Sequence, residues 1–92
     1  MARLSDEEIE EKLAGLSGWE RSDEAIEKIF KRDDFVGSVE FVSSLVEPAE
    51  GMNHHPDLAI SWDTVTVTIS THSEGGLTAA DFELAAKIDA LA

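Results

Sequence analysis

The chain has 92 residues and a mass of 10.0 kDa, enough for one domain around a single modest core. Its 42% apolar and 29% charged residues exclude a wholly disordered chain, and the lack of cysteine excludes disulfides, zinc–thiolate sites and thiol chemistry. Twenty Asp and Glu against seven Lys and Arg leave a formal charge of −13, so a nucleic-acid backbone or an anionic membrane surface would repel it.

In chain order, the first element reads as a short helix. Ser5 is its N-cap, Glu8 closes a capping box, Leu4 and Ile9 form a staple, and Ile9, Leu13 and Leu16 make one apolar stripe. Gly15 and Gly18 end it. Trp19 to Ser22 and Ala25 to Arg32 read as two strands around an Asp23-Glu24 turn. A longer helix begins at Asp33 or Asp34, with Phe35, Val36, Val39, Val42, Leu45, Val46 and Ala49 as a wide stripe of period 3.6. Pro48 predicts a kink or an early last turn in it. Two strands follow, Leu58 to Ser61 and Thr64 to Thr71, around Trp62-Asp63. In the second, Val65, Val67 and Ile69 alternate with Thr64, Thr66, Thr68 and Ser70, the pattern of a half-buried antiparallel strand. After Gly75-Gly76 comes a closing helix with Thr78 as N-cap and Asp81 at its third position. Leu77 and Phe82 form its staple, and Leu84, Ala85, Ile88 and Leu91 carry its buried stripe.

The order helix, strand, strand, helix, strand, strand, helix predicts an α+β sandwich of two layers, a four-stranded antiparallel sheet with helices on one face. The uncovered, threonine-lined face and at least one edge strand are left for association, and so small a core favours an oligomer. No apolar run approaches the roughly 20 residues of a bilayer span, and MARLSDEEIEE lacks the apolar stretch of a signal peptide, so a cytoplasmic location is expected. The acids are spread along the chain and only four Lys occur, which favours adaptation to a salt-rich cytoplasm over an ordinary acidic protein.

The candidate chemistry lies in three histidines. His54 and His55 are adjacent, and Pro56 sets them at a helix-to-strand junction. If the last two strands pair as a hairpin, His55 and His72 come to the same end of the sheet, and the three imidazoles gather. Glu50 lies one helical turn before His54, and Asp81 shares a helix face with Leu84, Ala85 and Ile88, so its carboxylate points inward. Taken singly, an adjacent His pair is more often a surface accident, Asp81 a helix cap and Trp62 a packing residue. A metal held by His54, His55, His72 and Glu50 is disfavoured, because neighbouring histidines diverge and no HExxH-like spacing occurs.

Together these residues form a spaced pattern: Glu50, three residues, His54-His55-Pro56, five residues, Trp62, nine residues, His72, eight residues, Asp81. The pattern resembles the signature of the pterin-4a-carbinolamine dehydratase family. Pro56-Asp57, Ser70-Thr71-His72, Gly75-Gly76-Leu77-Thr78, Asp81-Phe82 and the early Gly18-Trp19 extend the likeness over nearly the whole chain.

The resemblance implies the helix-on-sheet fold, assembly into a homodimer or homotetramer, and dehydration of 4a-hydroxytetrahydropterin to quinonoid dihydropterin without metal or bound cofactor. It implies His54 and His72 as acid and base at the 4a-hydroxyl and His55 as a residue that orients the pterin or stabilises developing charge. Asn53, Ser70, Thr71 and Ser73 would line the pocket, Trp62 would wall it, Pro56 would fix the turn, and Glu50 and Asp81 would orient the imidazoles. The chain departs from the family at Asn53, where an acid is common, at Ser73, where Glu is frequent, at Pro48 inside the helix, and at Ala80, where some members carry a basic residue. Two other readings stand beside it: a non-catalytic module that stabilises a partner's dimer, as animal members do for a transcription factor, and a dehydratase of another, molybdopterin-related pterin. Retention of every ionisable residue of the signature favours chemistry.

Overall fold

The computed structural model describes residues 2–92. Its elements run α1 (Asp6–Ala14), β1 (Glu20–Ser22), β2 (Ala25–Lys31), α2 (Phe35–Ser44), α3 (Val46–Met52), β3 (Asp57–Ser61), β4 (Thr64–Ile69) and α4 (Ala79–Leu91), with one 3-10 turn at His72–Glu74. The four strands pair antiparallel in one sheet of order β1-β2-β4-β3. Val65, Val67 and Ile69 are fully buried in the helix layer, while Thr64, Thr66 and Thr68 stay half-buried on the other face, so the alternation predicts this strand's orientation correctly. Pairing stops at Ile69, two residues earlier than expected, and Thr71 bridges instead to Gly76.

Local chemistry sets the helix starts. In α1 the Glu8 amide donates to the Ser5 hydroxyl at 3.2 Å and the Ser5 amide donates to the Glu8 carboxylate at 2.9 Å. That second bond holds the Glu8 carboxyl below its ordinary pKa. Asp34 caps α2 by accepting from the Gly37 amide at 2.7 Å.

The long helix is broken. Leu45 caps α2, and Pro48 falls in the first turn of α3, where the amide it lacks would have no helical partner in any case. A continuous helix would have driven the proline ring into the Ser44 carbonyl, so the break comes three residues before the proline rather than at it.

The expected stripe of this region is also corrected. Phe35, Val36, Val39 and Val46 are 41–63% exposed, and the side that meets the sheet runs through Ser38, Phe41, Leu45 and Ala49. Ser38 is tolerated there because its hydroxyl donates to the Asp34 carbonyl at 3.2 Å. In α4, Phe82, Leu84, Ala85 and Ile88 are buried as expected, but Leu91 in the last turn is 45% exposed. Phe30 joins the layers at the core's centre, with Phe41 at 4.8 Å and Trp19 edge-on at 6.1 Å between ring centroids. The Trp19 indole donates to Asp89 of α4 at 3.0 Å, tying the start of β1 to the last helix.

Candidate functional site

The site begins where α3 stops. Asn53 adopts a left-handed conformation (φ 50°), which Asn tolerates better than most residues. The Asn53 amide donates to the Glu50 carbonyl at 3.2 Å and the His54 amide to the Ala49 carbonyl at 3.0 Å, the two bonds of a Schellman ending. An acid at position 53 would suit this turn less well, which gives the departure at Asn53 a backbone reason.

Beyond this turn the two adjacent histidines part. His54 is mostly enclosed, its side chain 14% exposed, and its Nε2 lies 2.6 Å from Oδ1 of the fully buried Asp81. His55 turns to the surface, with Nε2 2.5 Å from the exposed Glu50 carboxylate. Glu50 therefore serves His55, not His54, and the break before Pro48 leaves it helical. The exposed pair is worth little to stability.

Asp81 is the most elaborately held group in the molecule. Its Oδ2 accepts from the Thr78 amide at 2.8 Å and from the Thr71 hydroxyl at 2.8 Å, and Thr71 and Thr78 Oγ1 are 2.9 Å apart. Thr71, read from sequence as a pocket-lining residue, commits its hydroxyl to this network. Thr78 was legible only as a helix cap. The signal for its second role is the spacing: an acid three residues past an N-cap binds that cap through one oxygen and has the other free for a third partner.

The β3–β4 register pairs Asp57 with Thr68 and so carries residues 53–56 and 70–73 to the same end of the sheet. His72 opens the 3-10 turn that follows, exposed, with Nε2 3.3 Å from the Ser70 hydroxyl. Gly75 closes that turn at φ 69°, a conformation that favours glycine. Ser73 is exposed on the same turn. Asp81 thus binds His54 directly and also holds Thr71, the residue before His72 in the chain.

Four expected members lie apart. His55 and Glu50, with Pro56, line a groove of about 250 Å³ between α2, α3 and β3, together with Val42, Val46 and Leu58, and neither His54 nor His72 contributes to it. Trp62 sits at the opposite end of the hairpin, 68% exposed, with Lys31 Nζ 5.8 Å from its ring centroid. Beside it, Lys31 pairs with Asp63 and holds that carboxyl below its ordinary pKa. Among the described residues, no three His, Cys, Asp or Glu side chains gather as a metal-binding group, and no helix is long and apolar enough to cross a membrane.

Comparison with known proteins extends these observations. Residues 2–91 match the model of the family described as pterin 4 alpha carbinolamine dehydratase. A protein of Thermosynechococcus vestitus, provisionally named pterin-4-alpha-carbinolamine dehydratase, is 50% identical over 98% of this chain and 95% of its own. One of Mycobacteroides abscessus with the same provisional name is 45% identical over 97% and 95%. The crystal structure of a transcriptional coactivator/pterin dehydratase from Brucella melitensis superposes with a TM-score of 0.93 at 39% identity, covering 98% of each chain. A pterin dehydratase-like RuBisCO assembly factor of the alpha-carboxysome shares the fold, with a TM-score of 0.64 at 22% identity over 79% of this chain and 84% of its own.

Proposed function

Because the chain belongs to the pterin 4 alpha carbinolamine dehydratase family, we propose that it dehydrates 4a-hydroxytetrahydropterin to quinonoid dihydropterin and water. His72 delivers a proton to the 4a-hydroxyl as the C4a–O bond breaks, His54 takes the proton from N5, and the C4a=N5 bond forms. No oxidation state changes, so the step calls for no redox cofactor. Imidazole, with an ordinary pKa of about 6.5, can donate or accept near neutrality. Asn53, Ser70 and Ser73 offer polar groups around the pterin, and His55, next to His54 in the chain, orients the part of the pterin that extends to the neighbouring apolar groove. The observation that carries this reading is the 2.6 Å bond from His54 to the buried Asp81, at the end of the sheet that also holds His72.

The test is turnover of synthetic 4a-hydroxytetrahydropterin by the wild type and by His54→Ala. The wild type accelerates dehydration over buffer, and the variant loses roughly 10²-fold or more in kcat, the lower range of general acid–base catalysis. Wild-type protein that matched buffer would end the enzyme reading.

The molecule also carries an apolar surface, which supports assembly. Phe35, Val36, Val39 and Val46 on the helices and Leu58 and Ile60 on the edge strand β3 are 39–63% exposed. No charge occurs from Leu58 to Trp62, so past Asp57 no charge blunts that edge against pairing. In a chain of charge −13, a second copy is the occupant that matches this uncharged strip. Two β3 strands pairing antiparallel about a two-fold axis at Ala59 would set Leu58 of each against Ile60 of the other. That pairing also places the partner's Trp62 beside Pro56. Shifting the register by one side-chain repeat either way places the partner's Trp62 beside His54 or Leu58. An aromatic remote from the histidines in its own chain would then wall the partner's site. The same surface favours the second reading, a module that docks on another protein, and the turnover assay separates the two.

A further inference from the structure

We propose that Thr71 and Thr78 are positioning residues for His54: their hydroxyls form a one-way relay that fixes Asp81 as a pure acceptor and leaves Nδ1 of His54 as the nitrogen that takes the proton. The inference deepens the dehydratase reading and rests on it only for its kinetic arm.

Thr71 has one hydroxyl hydrogen, which goes to Oδ2 of Asp81 at 2.8 Å. The 2.9 Å contact with Thr78 Oγ1 then requires the Thr78 hydroxyl to donate to Thr71. The Thr78 amide gives Oδ2 a second hydrogen at 2.8 Å. All three donations point toward the carboxylate, and its remaining oxygen faces His54 Nε2 at 2.6 Å. A carboxylate only accepts, so Nε2 carries the hydrogen and the neutral ring keeps its lone pair on Nδ1. Among the described residues Nδ1 has no hydrogen-bond partner, and no unpartnered side-chain nitrogen is buried, so Nδ1 is open to an incoming molecule. When Nδ1 takes a proton, the imidazolium rests against a carboxylate already aligned on two fixed donors, and little must reorganise.

The relay also joins the two arms of the site. Thr71 precedes His72 and bridges to Gly76, while Thr78 caps α4. A shift of the 70–73 segment therefore moves the carboxylate that aims His54.

The experiment compares the full chain with Thr71→Val, Thr71→Ser and Thr78→Val. Valine copies the shape of threonine without its hydroxyl, and its β-branch fits the backbone that threonine already adopts there (φ −110°, ψ 88°). One readout is the downfield proton resonance of the His54 Nε2–H, assigned by its loss in His54→Gln and visible while the bond to Asp81 shields it from exchange. The other is the split between kcat and KM. Thr71→Val is expected to broaden or lose the resonance and to lower kcat about tenfold with KM nearly unchanged, as loss of an imidazole's supporting partner does. Thr71→Ser restores both, and Thr78→Val, one step further back, gives a smaller change of the same kind. A resonance and kcat unchanged in Thr71→Val overturn the relay, and so does a serine variant that fails to restore them. If the wild type turns over no pterin, the dehydratase reading fails and the resonance alone decides for or against the relay.

Discussion

The two ends of the β3–β4 hairpin solve different problems. At one end, beside His54 and His72, Asp81 is a carboxylate with no exposed surface, and each of its bonds is made within the chain. At the other, an indole stands in solvent on a left-handed backbone (Trp62, φ 52°), a conformation that costs a bulky residue about 1–2 kcal/mol. A buried carboxylate without partners would be strongly destabilising, so the first end is specified to the last hydrogen. The second end leaves its indole exposed within one chain, with Lys31 as its neighbour, and is the end that the assembly proposal would cover.

Asp81→Asn should do the most damage at the histidine end. The amide oxygen would keep the Thr71 and Thr78 donors, so the helix start survives. Its NH2 group would face His54 Nε2 and force that nitrogen to accept, which moves the ring hydrogen to Nδ1. kcat should fall by about 10²- to 10⁴-fold, the full acid–base contribution, with little change in the thermal midpoint. Turnover within a few-fold of wild type would show that Asp81 is a cap and nothing more.

Ile60→Glu tests the other end. It introduces a charge on the edge strand that would lie against its equivalent or against the partner's Leu58, and like charges brought together there are repulsive. Light scattering should show the wild type as an oligomer and the variant as a monomer. A wild-type monomer at high salt, where repulsion between acidic copies is screened, would remove the assembly proposal outright.

How much of this could be read from sequence depends on what each residue answers to. The β4 alternation, the Ser5 and Thr78 caps and the pairing of β3 with β4 are local or nearly local features, and they were legible. The burial of α2 was not, because Phe35, Val36 and Val39 stand on the side that faces out. The buried side includes Ser38, whose hydroxyl is satisfied by its own helix, and a hydrophobicity pattern cannot register that. The directions of the histidines were equally hidden. A single left-handed residue, Asn53, sends His54 inward and His55 outward, and their separate acids, Asp81 and Glu50, follow from that turn. Trp62 fitted the family's pattern as a wall of the pocket, yet its reading as the turn of the β3–β4 hairpin already set it at the end away from the histidines, where the structure has it.

A smaller effect is expected from Trp62→Asn. Asn accepts the left-handed turn, so the isolated chain should gain up to about 1 kcal/mol, read as a higher urea midpoint. Turnover should nevertheless fall, through KM rather than kcat, if the indole walls a partner's site. A variant that is more stable and equally active would confine Trp62 to its own turn and separate the hairpin tip from the chemistry.

The smallest expected effect belongs to Lys31→Gln, beside the same turn. Lys31 lowers the pKa of Asp63 in the folded protein. A carboxyl with a depressed folded value contributes stability that is present above its unfolded value and is lost as pH falls through the folded one. The wild type should therefore exceed Lys31→Gln in urea midpoint at neutral pH, and the gap should close on acidification below the ordinary carboxylate range. The gain is modest because Lys31 is largely exposed, and high salt should shrink it at neutral pH. A gap that persisted in acid would mean that the lysine acts through its packing on the Trp62 ring instead of through its charge on Asp63.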